Sequence, residues 1–218
     1  MIKKISNTYP FPEGEKNFSI EGPTGHLELL TNLPKQILSP IIGVICHPHP
    51  LFGGTMHNKV VHTLARTFKE LGMRTVRFNF RGVGASQGSY AKGIGETEDL
   101  LAVLQWVKQV CHGAPICLAG FSFGSYVATR AAKTEQPARL ICVAPPIENF
   151  NFKELMPVTC PWLVVQGEQD EVVSAQAVFD WIATLATPPE LIRMPEASHF
   201  FHGQLIELQQ LLIEKLKP

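Results

Sequence analysis

Short apolar segments alternate with amphipathic segments along most of this chain. Two β-like segments come first, at 18–21 and 26–30, and the GPTG turn at 22–25 between them predicts a hairpin. From residue 41 onward, apolar runs rich in β-branched residues predict strands that are buried on both faces. These predicted strands are 41–46, 75–80, 116–121, 140–144, 162–166 and 191–194.

Segments with apolar residues at helical spacing separate these strands. The clearest is 59–71, where Val60, Leu64 and Phe68 share one face and Gly72 ends the helix. The other predicted helices are 95–110, 124–133, 175–185 and 205–216. This alternation predicts an α/β fold with a mostly parallel, open, twisted sheet and helices on both faces. In such a sheet, ligands bind beyond the carboxyl ends of the strands, so functional residues are expected directly after each strand.

Length and charge narrow the class of protein. A chain of 218 residues fits one domain, predicted over 1–218. Lys plus Arg and Asp plus Glu both number 19, and this zero net charge argues against a nucleic-acid surface. The start of the chain shows no signal-like apolar run, and no later run approaches the roughly 18–20 apolar residues of a membrane span. The prediction is a cytoplasmic protein without a membrane partner; no oligomeric state is predicted.

The cysteines and the first loop histidines suggest neither disulfides nor a cofactor. The five cysteines are odd in number and form no CxxC pair, which is typical of core residues in a reducing compartment. His47 and His49 lie close together, but no third ligand follows at helical spacing, so no metal site is predicted.

Two segments match the pattern G-x-S-x-G, centred on Ser86 and Ser122. A nucleophilic serine of this kind needs a strand that leads directly into a sharp turn and then a helix. Ser122 has a predicted strand before it and a predicted helix after it. Ser86 lies in a glycine-rich stretch that no helix follows closely. We therefore predict that Ser122 is a nucleophile and that Ser86 is a loop residue; a plain helix-capping serine is the alternative for Ser122.

An acid and a base must follow the serine, in that order, in this architecture. The predicted strand 162–166 ends in GEQDEVV at 167–173, where Asp170 is favoured because its offset from the glycine leaves room for an inward turn. The flanking Glu168 and Glu171 are expected to face solvent. His199 follows the last predicted strand, whereas His202 is expected to enter the final helix. The prediction is a Ser122–His199–Asp170 triad.

A triad of this type also needs two backbone N–H donors for the oxyanion of the intermediate. One is expected at Phe123, directly after the nucleophile. The other is expected in the loop HPHPLFGG at 47–54, whose two prolines have no N–H to donate. Counting two past His47, the histidine at the strand end, selects His49, with Leu51 as the second candidate.

Taken together, these motifs resemble the α/β-hydrolase superfamily over nearly the whole chain. The matching segments are HPHPLFGG at 47–54, FNFRGVGASQG at 78–88, GFSFG at 120–124, GEQDEVV at 167–173 and SHFFHG at 198–203. The sequence most resembles small bacterial cap-less hydrolases related to the dienelactone-hydrolase branch. The resemblance implies the triad above and oxyanion donors at His49 and Phe123. Dienelactone hydrolases proper carry cysteine as nucleophile where this chain has Ser122.

The expected activity is that of a carboxylesterase acting on small acyl esters. Only 145–159 stands where larger hydrolases insert a cap, and its apolar residues are expected to form a short lip or to pack at the sheet edge. An open site of this kind predicts a preference for short acyl chains. The alternatives are hydrolysis of thioesters, lactones or amides, and a non-catalytic binding protein on the same scaffold.

Overall fold

The computed structural model of the chain describes residues 11–217. Residues 1–10 lie outside the described residues. They are part of the segment that is predicted to lack a signal. The strands are β1 Glu15–Gly22, β2 Gly25–Asn32, β3 Ile42–Cys46, β4 Arg74–Phe78, β5 Ile116–Phe121, β6 Arg139–Val143, β7 Trp162–Gly167 and β8 Glu190–Met194. The helices are α1 Lys59–Glu70, α2 Ile94–Val110, α3 Phe123–Glu135, α4 Ala175–Ala183 and α5 Leu205–Leu216. Short 3-10 helices occupy Pro50–Phe52 and Phe152–Leu155.

The eight strands form one open sheet in the order β1-β2-β4-β3-β5-β6-β7-β8. The hairpin β1–β2 and its junction with β4 are antiparallel, and every pair from β4 to β8 is parallel. The predicted mostly parallel open sheet is therefore confirmed. Because β3, β5, β6, β7 and β8 run in one direction, their carboxyl ends share one edge of the sheet.

Helices cover both faces of the sheet, and each face has its own apolar layer. Successive residues of a strand enter opposite layers, as Val44 and Ile45 of β3 do. On one face, the apolar layer includes residues of α2, α3 and α4. On the other face, it includes residues of α1 and α5. This double coverage explains why the central strands β3, β5 and β7 are buried at every position.

The observed elements differ from the predicted ones mainly at their ends. The hairpin strands extend several residues beyond the predicted segments, because their polar outer positions obscure the alternation that a half-buried strand shows. Strand β4 ends at Phe78, two residues early, because the side chain of Asn79 bonds to both the N–H of Met56 and the carboxylate of Glu28. Helix α3 begins at Phe123, immediately after the nucleophile candidate.

His47 holds the end of β3 against the chain that follows β4. The imidazole is fully buried, with Nδ1 2.6 Å from the carbonyl oxygen of Pro48 and Nε2 3.0 Å from the backbone nitrogen of Phe80. A carbonyl accepts and an N–H donates, so the neutral ring with its proton on Nδ1 satisfies both contacts. Burial lowers the pKa of His47 to about 3. The neutral ring therefore holds the start of the 47–54 loop in place through these two hydrogen bonds.

Arg81 anchors the turn after β4 to helix α2. Its guanidinium donates to both carboxylate oxygens of Asp99, at 2.7–3.0 Å, and its backbone N–H donates to the same carboxylate at 2.9 Å. Both side chains are almost fully buried. These contacts give Arg81 a structural role, because they hold the turn after β4 against α2.

We expect Asp99→Ala to lower the free energy of unfolding by about 3 kcal/mol, since it removes the buried partner of the Arg81 guanidinium and leaves only the exposed carboxylate of Glu98 at 3.1 Å. Urea unfolding followed by circular dichroism measures the change. Glu135→Ala is the matched control, because it breaks the exposed pair with Lys108 and should cost less than about 1 kcal/mol. Equal losses in the two variants would contradict this account of Arg81.

We expect His47→Gln to change how stability depends on pH. The folded protein keeps this imidazole neutral down to about pH 3, whereas the unfolded chain binds a proton near pH 6.5. The stabilising contribution is complete above pH 6.5 and falls by about 1.4 kcal/mol per pH unit as the pH drops below it. Glutamine removes this titration, so between pH 6 and pH 4 the wild type should lose stability faster than the variant. Parallel pH curves in urea unfolding would contradict the prediction.

Candidate active site

Three side chains that are distant in sequence meet at the carboxyl edge of the sheet. Ser122 follows β5, Asp170 follows β7, and His199 lies between β8 and α5. The Oγ of Ser122 is 3.2 Å from Nε2 of His199. The Nδ1 of His199 is 2.8 Å from Oδ2 of Asp170. The structure therefore places the three predicted residues in one continuous hydrogen-bonded chain.

The backbone at Ser122 has a conformation that residues other than glycine rarely adopt. Its φ is 52° and its ψ is −121°, in the turn between β5 and α3. The backbone N–H of Ser122 donates to the carbonyl of Val143 at 2.8 Å, which ties the turn to β6. A Cβ at Gly120 would lie 2.2 Å from the carbonyl oxygen of Gly124, and one at Gly124 would lie 2.4 Å from that of Cys46. Both glycines are thus required by close backbone packing around the strained serine.

Asp170 is held by more hydrogen bonds than the one to His199. Its Oδ1 accepts the backbone N–H groups of Val172 and Val173, at 2.9 and 2.7 Å, and its Oδ2 accepts from the amide of Gln166 at 3.0 Å. Burial pushes the pKa of this carboxyl upward, but the hydrogen bonds from His199 and from the two backbone N–H groups outweigh it and leave the pKa below its ordinary value. The group is therefore a charged, fixed acceptor at neutral pH.

The backbone of His199 is positioned by an acid that we expected to face solvent. The carboxylate of Glu171 is exposed, yet it accepts the N–H of His199 at 3.1 Å. Glu168 does lie at the surface, where it pairs with Arg193 at 2.9 Å. The expectation that His202 enters the final helix is wrong: α5 begins at Leu205, and His202 is exposed in the preceding turn. No pattern in the sequence predicts the contact of Glu171, which joins two separate loops.

The loop at 47–54 uses one of its two candidate N–H donors internally and leaves the other without an acceptor among the described residues. The N–H of Leu51 donates to Nδ1 of His49 at 3.2 Å. Nε2 of that ring is 3.1 Å from the hydroxyl of Tyr90. No described residue accepts the backbone N–H of His49. Phe123 is the first residue of α3, so its N–H also lacks a carbonyl one turn earlier in the helix.

A cavity of about 370 Å³ opens onto Ser122 and His199. Its walls are mainly apolar, formed by Pro48, Phe52 and Val172 together with neighbouring residues. Phe52 is 86% exposed and Val172 is 57% exposed, so the mouth of the cavity is open rather than covered. This position, beside the candidate nucleophile, is where a substrate would have to bind.

The segment at 145–159 packs mostly away from this cavity. Phe152 and Leu155 are buried in a small cluster with Tyr126, and the ring of Trp181 on α4 packs against Phe152. Phe150 differs, because its ring lies 5.3 Å from that of Phe123, next to the site. The buried part of this segment therefore packs against helices α3 and α4 rather than at the expected sheet edge, whereas Phe150 lies beside the site, where a lip is expected.

The second G-x-S-x-G serine, Ser86, has a structural position. It is buried, its hydroxyl donates to the carbonyl of Asn79 at 2.7 Å, and it accepts the N–H of Glu28 at 2.9 Å. The next helix begins only at Ile94. The interpretation of Ser86 as a loop residue agrees with these contacts.

The described residues provide neither a cluster of metal ligands nor a membrane-spanning helix. Within residues 11–217, no three His, Cys, Asp or Glu side chains are grouped closely enough to hold a metal ion. Across the same residues, every helix is too short or too polar to span a bilayer.

Comparison with known proteins places this chain in a family. A family model described as an alpha/beta hydrolase domain matches residues 49–207. An alpha-beta serine hydrolase homologue from Coxiella burnetii is 51% identical, covers 95% of this chain and all of its own, and superposes with a TM-score of 0.92. XC6422 from Xanthomonas campestris, described as a serine hydrolase without lid, is 45% identical over 94% of this chain and 95% of its own, with a TM-score of 0.91.

A curated sequence relative is also similar to this chain over most of its length. The uncharacterized protein RP471 of Rickettsia prowazekii is 33% identical over 205 residues, which are 89% of this chain and 86% of that protein. The family model spans well over half of the chain, and the similar structures cover nearly all of it. This protein therefore belongs to the α/β hydrolases, among those of the serine hydrolase type without a lid.

Proposed function

We propose that this protein is a serine hydrolase that cleaves small carboxylic esters through an acyl-enzyme, with Ser122 as nucleophile. The observation that supports this most directly is the 3.2 Å contact between Ser122 Oγ and His199 Nε2. A serine hydroxyl is a weak nucleophile at neutral pH, and a base at hydrogen-bond distance is what activates it. The 2.8 Å contact to Asp170 fixes the imidazole with its proton on Nδ1, so that Nε2 is free to accept.

The proposed reaction has two halves. Nε2 of His199 takes the hydroxyl proton while Ser122 Oγ attacks the ester carbonyl carbon, and the carbonyl oxygen becomes an oxyanion. The same proton then passes to the alcohol oxygen as the bond to the alcohol breaks, which leaves an acyl-serine. Water repeats the sequence, with His199 again as base, and releases the carboxylic acid. Asp170 stabilises the imidazolium in both halves.

Two backbone N–H groups are proposed to bind the oxyanion. Phe123 contributes the first, because helix α3 starts there and its N–H has no partner within the helix. His49 contributes the second, in preference to Leu51, whose N–H already donates to the His49 ring. The His49 ring is itself held by Tyr90, so this loop does not need to reorganise as charge develops.

A reducing, cytoplasmic location is part of the proposal. All five cysteines are free thiols, and three of them are buried: Cys46, Cys117 and Cys142. Burial raises the pKa of Cys117 to about 12 and that of Cys142 to about 11, so neither is an accessible thiolate. They pack as small apolar residues of the sheet.

We expect Ser122→Ala to abolish both ester hydrolysis and labelling by a fluorophosphonate probe. Loss of the nucleophile should lower kcat by a factor on the order of 10⁴ or more. Ser86→Ala is the matched control, since it changes the serine of the other G-x-S-x-G segment and should keep labelling. Intact labelling of Ser122→Ala, with circular dichroism showing a folded protein, would contradict the assignment of the nucleophile.

We expect short acyl chains to be sufficient for full activity. The cavity is about 370 Å³ and open at its mouth, so methylenes beyond it stay in water and add no binding energy. Values of kcat/KM for p-nitrophenyl esters should therefore reach their maximum by the butyryl ester, with no gain from longer chains below their micelle concentrations. Rapid turnover of long-chain esters without turnover of acetyl or butyryl esters would contradict this. Butyryl thioester and butyramide substrates of matched size separate the alternative activities.

A further inference from the structure

The cavity beside Ser122 contains one side-chain amide, that of Asn58. Asn58 lines the same cavity as Ser122 and His199, and it also caps the N-terminus of helix α1. Its Oδ1 accepts the N–H groups of Val60 and Val61, at 2.9 and 3.5 Å. The side chain is therefore shared between the helix and the cavity.

Capping determines which end of this amide is left for a ligand. Only the carbonyl oxygen can accept the two helical N–H groups, so the orientation of the amide follows from the cap. Turning it over would leave these N–H groups unpaired and bring two donors together. The amide nitrogen Nδ2 has no acceptor among residues 11–217. Asn58 is thus a fixed donor with unused N–H groups at the edge of the cavity.

The rest of the cavity lining indicates what kind of acceptor this donor suits. The walls near it are apolar, with Phe52, Val172 and Phe200 among them, and no lysine or arginine lines the cavity. A carboxylate or phosphate would lose its hydration there without meeting a positive charge. A neutral oxygen needs only one donor and tolerates apolar neighbours.

We propose that Asn58 Nδ2 donates a hydrogen bond to a neutral oxygen that the substrate carries beyond its scissile ester group. The preferred substrates are accordingly hydroxy, alkoxy or keto esters, in preference to plain hydrocarbon esters and anionic esters. This inference rests on the proposed ester hydrolysis and specifies its substrate class. Asn58 acts as a substrate-binding residue and takes no part in the proton transfers.

The test compares esters in which one methylene is replaced by an ether oxygen. On the acyl side the pair is p-nitrophenyl pentanoate and p-nitrophenyl 3-methoxypropanoate; on the alcohol side it is butyl acetate and 2-methoxyethyl acetate. Each pair is hydrolysed by the wild type and by Asn58→Ser and Asn58→Asp. Both replacements are good helix caps that lack the amide N–H groups. For each pair, the measured quantity is the kcat/KM of the ether ester divided by that of the hydrocarbon ester. The difference in chemical reactivity between the two esters is the same for every variant, so it cancels when this ratio is compared between variants.

We expect this ratio to fall about five- to tenfold in both variants for at least one pair, the size of one net hydrogen bond. The change should appear mainly in KM, while the melting temperature stays close to that of the wild type. Asn151→Ser is the matched control, because it makes the same exchange at another helix cap, that of Phe152–Leu155, and should leave both ratios unchanged. The anionic ester 3-acetoxypropanoate carries a carboxylate in place of the neutral ether. In the wild type it should be cleaved more slowly than 2-methoxyethyl acetate.

The possible outcomes separate this inference from the function on which it rests. Equal ratios in the wild type and both Asn58 variants, with ester hydrolysis intact, would overturn the role of Asn58 and leave the hydrolase in place. Faster cleavage of 3-acetoxypropanoate than of the ether would overturn the preference for a neutral oxygen. Failure of the wild type to cleave any of these esters would overturn both proposals.

Discussion

The left-handed backbone at Ser122 is the constraint on which the rest of the site depends. At φ 52° the serine can stand at the tip of a turn with its hydroxyl at the sheet edge, but the conformation persists only because its surroundings hold it. Strand β6 binds its N–H, and α3 starts one residue later, close against β3 and β5. Gly120 and Gly124 permit that close approach. A larger residue at either position would push the helix away and relax the turn.

The other parts of the site are positioned by hydrogen bonds that lie outside the Ser122–His199–Asp170 chain. Two backbone N–H groups orient the carboxylate of Asp170, and Glu171 holds the backbone of His199. On the opposite side, buried His47 ties the 47–54 loop to the chain after β4. The loops are therefore held both by local hydrogen bonds and by a bond from one loop to another. Such support keeps the distances in the site short without requiring a bound ligand.

Much of this arrangement could be predicted from the sequence, because parallel strands bring their carboxyl ends to one edge. The strand before Ser122 and the helix after it distinguish this serine from Ser86. The order of acid and base along the chain then selects Asp170 and His199, which the structure brings together with Ser122. Contacts between loops outside this triad could not be predicted. Glu171 reaches a backbone N–H 28 residues away, and no local pattern encodes that distance. The relation to dienelactone hydrolases and the catalytic roles of the three residues stay predictions.

The polarity of the cavity gives one reason why esters suit this protein. The protein satisfies its own acceptors near the site: the Asn58 oxygen caps α1, and Nδ1 of His49 accepts from its own loop. In our proposals, what remains for a substrate is a set of donors, namely the backbone N–H groups of Phe123 and His49 and the Asn58 amide, beside largely apolar walls. Substrates with several acceptor oxygens and few donors match such a surface, since unpaired polar groups on either partner cost binding energy. Esters have this character, whereas primary amides bring donors of their own that would find few acceptors.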